Sequence, residues 1–180
     1  VYFLDKELGL KSGIYEDDNL AWCLYSSFSG FNTPDIDVHK EAQKGVSNPT
    51  EIYVGVIHGD VNGASTTTNR VTENGLDPSV FGECDFVIAG HIHKRQEIKK
   101  DGVRIVYCSS IDQRDMGESV NGHGFVVWDV DDPDNITYKF VAVQPTCPCA
   151  AFPVSEGTQS YCRRDQSSPR ASKEKPPQQP

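Results

Sequence analysis

The sequence predicts a strand-rich α/β fold over residues 1–144, followed by a disordered tail over 145–180. Apolar runs of strand length recur through the first segment, and Gly, Asn and Asp turns separate them. Helical patterning is confined to two short stretches. Two of the apolar runs end directly in histidines, and open α/β folds place their ligands at the carboxyl ends of strands. A chain of 180 residues is long enough for one domain with a substantial core.

The elements follow from the apolar runs in chain order. Strands are predicted over 1–4, 20–27, 51–57, 85–89, 95–98, 103–107, 124–130 and 136–143. The fifth and sixth form a predicted hairpin, which turns at Asp101-Gly102. A short helix is predicted over 76–82, because Asp77-Pro78 suits an amino-terminal helical turn, and a second over 37–44.

The tail differs in composition from the rest of the chain. It holds seven of the 11 prolines and ends in Lys-Glu-Lys-Pro-Pro-Gln-Gln-Pro. Such a segment cannot bury enough apolar surface to offset the entropy lost on ordering. Its Cys147-Pro148-Cys149 has no second cysteine pair at zinc-finger spacing, so we predict no structural zinc there.

Charge and composition narrow the function classes. The net charge of -9 argues against a free-standing nucleic-acid binder, whose surface is usually basic. It leaves open an enzyme that binds phosphates through metal ions, because the ions bring their own positive charge. No apolar run has the length of a membrane span, and the first residues lack a signal-peptide layout. We therefore expect no membrane association and a cytoplasmic location, which is the host cytoplasm if the gene is phage-encoded.

Three of the five histidines directly follow predicted strands. Gly90-His91-Ile92-His93 comes after the fourth strand, and His58 ends the third. Neutral imidazole is the commonest protein ligand for Zn, Mn and Fe. If the two strands are parallel neighbours, their ends open at the same edge and the rings can converge, or His91 and His93 can diverge toward two metals. The sequence therefore predicts metal ligation by His58, His91 and His93.

Two-metal sites usually contain a bridging carboxylate, and no acidic residue fits that role clearly. Asp37-Val38-His39 has the Asp-x-His form, but no apolar strand precedes it. Asp60 lies in a Gly-Asp pair that is fused to His58. The chain also starts on a predicted strand and has no initial Met, so we expect it to begin inside a domain, with further ligands upstream of Val1.

Several segments together resemble a known family. They are Gly55-Val56-Ile57-His58-Gly59, Cys84 to Gln96 with its Gly-His-x-His, Val103 to Ser110, Gly117-Glu118-Ser119 and Gly122 to Asp129. Over about residues 10 to 140, the chain resembles the carboxy-terminal half of a calcineurin-like metallophosphoesterase domain. It is most similar to the SbcD-type nuclease subunits, including phage recombination endonuclease subunits.

The resemblance implies a partial αββα fold, in which two packed sheets are flanked by helices. It implies that His58 and His91 bind one metal and His93 a second, with His91 and His93 catalytic. The implied ions are two divalent metals, most often Mn, with Mg, Fe or Zn in relatives. The implied reaction is hydrolysis of DNA phosphodiesters by a metal-activated hydroxide, in repair or recombination, with an SbcC-like ATPase as partner and a homodimer as a compatible assembly.

The family's upstream motifs, an Asp-x-His that follows a strand, Gly-Asp-x-x-Asp and Gly-Asn-His, are absent from this chain. We therefore expect this polypeptide alone not to form a complete dinuclear centre. Two alternatives stay open. One is a phosphoesterase that acts on small nucleotides or phosphomonoesters, and the other is a catalytically incomplete fragment that binds a partner.

Five further residues are candidates for substrate contacts. Lys94 and Arg95 open a basic cluster that continues with Lys99, Lys100 and Arg104, and such a cluster either contacts phosphates or is the solvated face of the hairpin. Ser109 and Ser110 either donate to phosphate or shape a turn. His123, between two glycines, either lines the site or shapes a turn.

Overall fold

A computed structural model describes residues 9–114, 118–119, 121–144, 149–154 and 157–162. The predicted strand over 1–4 and the tail beyond residue 162 lie outside these ranges. Within the described ranges the chain is strand-rich with few helices, which confirms a mixed α/β fold. The complete αββα sandwich stays a prediction. No helix in the described part of the chain has the length and apolar character needed to cross a bilayer.

A six-stranded sheet forms the centre of the fold. Its strands are β1 (Gly13–Asp17), β2 (Leu20–Tyr25), β3 (Ile52–His58), β4 (Phe86–Gly90), β5 (Gln96–Lys100) and β6 (Val103–Tyr107). Their order is β1-β2-β3-β4-β6-β5. Strands β2, β3, β4 and β6 run parallel, and each edge strand is antiparallel to its neighbour. Five of the predicted strands are confirmed here.

Strand β1 was not predicted. Its sequence, Gly-Ile-Tyr-Glu-Asp, has few apolar residues, and its side chains are at most half-buried. It pairs with β2 through a tight turn in which Asp18 has a positive φ of 53°. The strand exists because β2 offers it an open edge, and no apolar run in its own sequence signals it.

The sheet has two apolar faces with different cover. On the first, alternate residues of the parallel strands are fully buried, among them Tyr25, Ile57 and Tyr107. On the second, Ile52, Val54 and Phe86 are buried. A loop over residues 60–77 covers part of the first face, and its Ser65 exchanges two backbone hydrogen bonds with the Gln96 side chain, of 2.7 and 2.8 Å.

The two predicted helices differ in outcome. Helix α1 spans Ile36–Ala42, as predicted to within two residues, and Asp35 caps it by accepting from the Val38 N–H at 3.3 Å. The predicted helix over 76–82 is only a 3-10 turn, Pro78–Phe81. Asp77 caps that turn, and the hydrogen bonds from Ser79 lower the pKa of its carboxyl to about 2. Because β4 starts at Phe86, the chain has room for only one turn.

A separate hairpin covers the second face. Its strands, β7 (Gly124–Asp129) and β8 (Thr137–Ala142), confirm the two strands predicted here, and they pair antiparallel. Trp128 stacks on Phe86 of the central sheet, with ring centroids 4.0 Å apart. This contact brings the segment before β7, which contains His123, beside the central sheet.

The predicted tail contains a further hairpin. Strands β9 (Cys149–Val154) and β10 (Gly157–Cys162) pair antiparallel, with Gly157 opposite Val154. Within the tail, the structure describes these residues as a hairpin, and the disorder of the tail stays a prediction. Proline dominates the average composition of residues 145–180. This average obscures a local run of strand-forming residues, such as Phe152, Val154 and Tyr161.

Candidate functional site

His58 and His91 meet where β3 and β4 end. The strands are parallel with His58 opposite Gly90, and the pairing continues as the Gly59 N–H donates to the Gly90 carbonyl at 3.3 Å. The two imidazoles contact edge to face, with ring centroids 5.4 Å apart. A Cβ at Gly90 would lie 3.0 Å from His58 Nδ1, so a glycine at this position leaves room for the His58 ring. Two of the three rings that were predicted to converge therefore lie together.

The backbone at His91 is in the left-handed region, with a φ of 92°. Residues with a Cβ rarely adopt this conformation, and where they do, the strain clusters at functional sites. This residue directly follows β4 and redirects the chain. As a result His91 lies against His58, whereas His93 points to a different group of side chains.

Asp60 lies beside the histidine pair. Its Oδ1 is 3.9 Å from His91 Nε2, which is too long for a hydrogen bond, and the two side chains are 47% and 53% exposed. The Asp60 carbonyl accepts from the Leu76 N–H at 2.9 Å, so the acidic residue is anchored by its backbone. Asp60 also lines a pocket of about 530 Å³ with Arg70, Glu73 and Asn74.

His93 is paired with a buried carboxylate. Its Nδ1 lies 2.5 Å from Oε1 of Glu118, whose side chain is only 2% exposed. The other oxygen of Glu118 accepts from the Arg114 N–H at 2.8 Å and from the Ser110 hydroxyl at 3.3 Å. Burying a carboxylate is costly unless it is hydrogen-bonded, and these three donors meet that need.

His123 continues the same network from inside the protein. It is 3% exposed, and its Nε2 donates to the Ser119 carbonyl at 2.7 Å. Its Nδ1 lies 3.1 Å from the Ser110 hydroxyl. Ser109, with a positive φ of 84°, donates from its hydroxyl to the His93 carbonyl at 2.8 Å. Ser110 and His123 thus support His93 through Glu118, and Ser109 holds its backbone.

Lys94 and Arg95 lie at a pocket of about 250 Å³, which His93, Ser109, Glu118 and His123 also line. Lys94 donates to the Asn69 side chain at 2.8 Å, and the Arg95 guanidinium lies 4.2 Å from the centre of the Phe140 ring. The rest of the basic cluster lies on the β5–β6 hairpin, where Lys99 and Arg104 pair with Glu97 and Lys100 with Asp77. Lys94 and Arg95 are therefore the members next to a candidate site residue.

The structure divides the predicted ligands into two groups. His58 and His91 are together, and His93 lies apart with Glu118. Among the described residues, no three His, Cys, Asp or Glu side chains are arranged to hold a metal ion. Sequence reasoning missed Glu118 as a site residue because it lies in a polar stretch that is typical of a solvated loop. In the sequence, Asp60 is recognisable only as part of a Gly-Asp pair that directly follows His58.

Tyr107 supports the loop that follows His58 and was also missed. It is fully buried, its hydroxyl donates to the Gly59 carbonyl at 2.8 Å, and burial raises its pKa. Tyr107→Phe leaves that buried carbonyl without this donor, so we expect the free energy of unfolding to fall by about 1–3 kcal/mol in a denaturant titration. Tyr138→Phe, which removes a more exposed hydroxyl bonded to Glu97, should change it by less than about 0.5 kcal/mol. Equal effects of the two variants would contradict the assigned role.

Comparison with known proteins gives one distant similarity. No known family profile matches the chain. The chain is 29% identical over 119 residues to an uncharacterized protein of Acanthamoeba polyphaga mimivirus, and the aligned region is 66% of this chain. It spans only 9% of the length of that relative. The similarity therefore concerns a small part of a much longer protein.

Proposed function

We propose that this chain is part of a metal-dependent phosphodiesterase, a DNA exo- or endonuclease subunit of the calcineurin-like type. The observation that carries the proposal is the contact between the His58 and His91 rings at the ends of adjacent parallel strands. Strand ends of open α/β sheets are where such folds bind ligands. The strained backbone at His91 adds weight, because strain of this kind is concentrated at functional sites.

The side chains fit divalent ions by their chemistry. Imidazole nitrogens suit Mn, Fe and Zn, and a histidine that ligates a metal commonly donates its other N–H to a carboxylate, as His93 does to Glu118. In the proposal His58 and His91 hold one ion and His93 a second, with Mn preferred and Mg, Fe or Zn as alternatives. Two such ions would polarise a phosphoryl oxygen and lower the pKa of a water.

In this proposal, the residues of the chain bind the ions and orient the ligand side chains. His58 and His91 are fixed by the β3–β4 pairing, and His93 by Glu118. Lys94, at the mouth of the smaller pocket, would contact a substrate phosphate. The remaining ligands, including a bridging carboxylate, would come from residues outside this chain. DNA is the proposed substrate, and an SbcC-like ATPase subunit is the proposed partner.

A second candidate is a catalytically incomplete fragment that binds a partner without turnover. It is favoured by one observation, that a strand-borne Asp-x-His, Gly-Asp-x-x-Asp and Gly-Asn-His are absent from the sequence. The two candidates differ in what Mn²⁺ does. An enzyme binds it and turns over, whereas the fragment binds it weakly and stays inactive.

The test is a hydrolysis assay with excess Mn²⁺ on three substrates: duplex DNA ends, a chromogenic phosphodiester and a chromogenic phosphomonoester. The protein is produced as this chain and also with whatever residues its native transcript encodes before Val1. We expect the longer protein to degrade DNA ends and to lose activity with a chelator. Preference for the small esters would favour a small-molecule phosphoesterase instead. No turnover by the longer protein on any substrate would overturn the enzymatic proposal.

A further inference from the structure

Glu118 is the most deeply buried carboxylate near the candidate ligands. Its side chain is 2% exposed, yet it faces a histidine side chain that is 40% exposed at the mouth of a pocket. A buried charge pair is weak evidence for a stabilising role, because desolvation offsets much of the attraction. The unequal exposure of the two partners instead suggests that the buried group orients the exposed one.

The hydrogen bonds fix where the proton lies on His93. An ionised carboxylate only accepts, so the short contact between Glu118 Oε1 and His93 Nδ1 requires a proton on Nδ1. In a neutral ring Nε2 then carries the lone pair. Among the described residues, none forms a hydrogen bond with Nε2. That nitrogen is therefore available as an acceptor or ligand, on a half-exposed side chain that lines the pocket.

We propose that Glu118 is a positioning residue, which holds His93 in the Nδ1–H tautomer and so presents the Nε2 lone pair to a divalent cation. The cation rests on the function proposed above, whereas the choice of tautomer stands without it. A carboxylate partner both fixes the ring orientation and raises the basicity of the ligating nitrogen.

The carboxylate oxygen of Glu118 that does not contact His93 has hydrogen-bond donors of its own. The Arg114 N–H and the Ser110 hydroxyl both donate to its second oxygen. The Gln113 side chain donates to the Glu118 carbonyl at 3.0 Å and anchors its backbone. His123, whose Nδ1 lies 3.1 Å from the Ser110 hydroxyl, closes the chain of contacts from the core. The orientation of His93 is thus tied to several hydrogen bonds behind Glu118.

The experiment observes the tautomer directly. The metal-free chain is labelled with ¹⁵N-histidine, and long-range ¹H–¹⁵N correlations are recorded at a pH where the rings are neutral. We expect His93 to be protonated on Nδ1. In Glu118→Ala it should revert to the Nε2–H form that predominates for free histidine in water, and Glu118→Gln, which keeps a carbonyl acceptor, should retain more of the Nδ1–H form.

A control variant and a second measurement distinguish the tautomer of His93 from the binding of a cation by His93. Glu83→Gln, which alters an exposed carboxylate paired with Lys40, should leave the His93 tautomer unchanged. In the protein as its native transcript encodes it, Glu118→Ala should weaken Mn²⁺ binding by about 10- to 100-fold in a calorimetric titration.

The outcomes are distinguishable. An Nε2–H tautomer in the wild-type chain overturns the role of Glu118, and this result does not depend on whether any variant folds. An unchanged tautomer in a folded Glu118→Ala variant overturns it as well. The expected tautomers without Mn²⁺ binding by the wild type would support the positioning of His93 and overturn the metal function. Equal Mn²⁺ affinity in wild type and Glu118→Ala would overturn the link between Glu118 and the cation.

Discussion

Replacing His91 by Ala is expected to abolish Mn²⁺-dependent phosphodiester hydrolysis by the complete protein. The ring lies against His58 at the end of the central parallel strands, so its loss removes one of two adjacent ligands. Loss of a group that only orients a ligand typically costs 10- to 100-fold, so loss of the ligand should cost more than about 100-fold. His58→Ala should have a similar effect, because both rings serve the same ion in the proposal. His93→Ala should also abolish hydrolysis, through loss of the second ion.

The measurement is the rate of hydrolysis of a DNA substrate at several Mn²⁺ concentrations, with the folded state checked by circular dichroism. His39→Ala is the matched control. This histidine lies on α1, where it bonds Glu16 at 2.6 Å and Tyr53 at 3.1 Å, in a part of the fold that does not contribute to the site. Its replacement should leave the rate within about twofold. A folded His91→Ala protein with wild-type activity would refute the metal assignment.

Gly124→Ala is expected to have the largest effect on stability among the glycine variants. The φ of Gly124 is 157°, and an added Cβ would lie 2.1 Å from the Val141 carbonyl oxygen and 2.6 Å from the Phe140 ring. One neighbour is backbone of the paired strand, so the clash is relieved only by separating β7 from β8. Overpacking of this kind costs about 1–3 kcal/mol and occasionally more, and we expect at least about 2 kcal/mol here.

The effect should extend to the candidate site. The Gly124 N–H donates to the Ser110 carbonyl at 3.3 Å, and the Val143 N–H donates to the His123 carbonyl at 2.9 Å, so the start of this hairpin is tied to the network behind His93. Denaturant unfolding measures the loss of stability, and the His93 resonances report the local change. Gly82→Ala is the control, because Gly82 is right-handed helical and its new Cβ would be 3.3 Å from the nearest carbonyl. Equal stability of the two variants would contradict the clash.

The pairing of His58 with His91 could be predicted because it depends on local signals. Each histidine follows a continuous apolar run, and two such strands, once parallel and adjacent, must end at the same edge. The position of His93 depends on one backbone angle at His91, and no residue pattern signals that a histidine takes a left-handed conformation. Its separation from the pair therefore became visible only in three dimensions.

Glu118 was out of reach for a different reason. A lone Glu in a polar stretch is usually solvated, whereas the Glu118 side chain is buried and accepts hydrogen bonds from the Arg114 N–H and the Ser110 hydroxyl. The same limit applies to β1, whose sequence carries too few apolar residues to be distinguished from a loop, whereas the strand-forming residues of the β9–β10 hairpin lie in a segment whose overall composition is rich in proline. A strand that forms mainly because a neighbouring strand has an unpaired edge is hard to recognise from its own composition.

The arrangement of the central sheet also has a kinetic consequence. At its edges, β1–β2 and β5–β6 are hairpins closed by two-residue turns, and such units form within about 1–10 µs. The parallel pairs at its centre join segments separated by long crossovers, so their closure is slow. We therefore expect folding to begin at the rims and to finish in the middle. Both imidazoles of the His58–His91 pair belong to that last step, so a nascent or partly unfolded chain lacks the pair even when both hairpins are already formed.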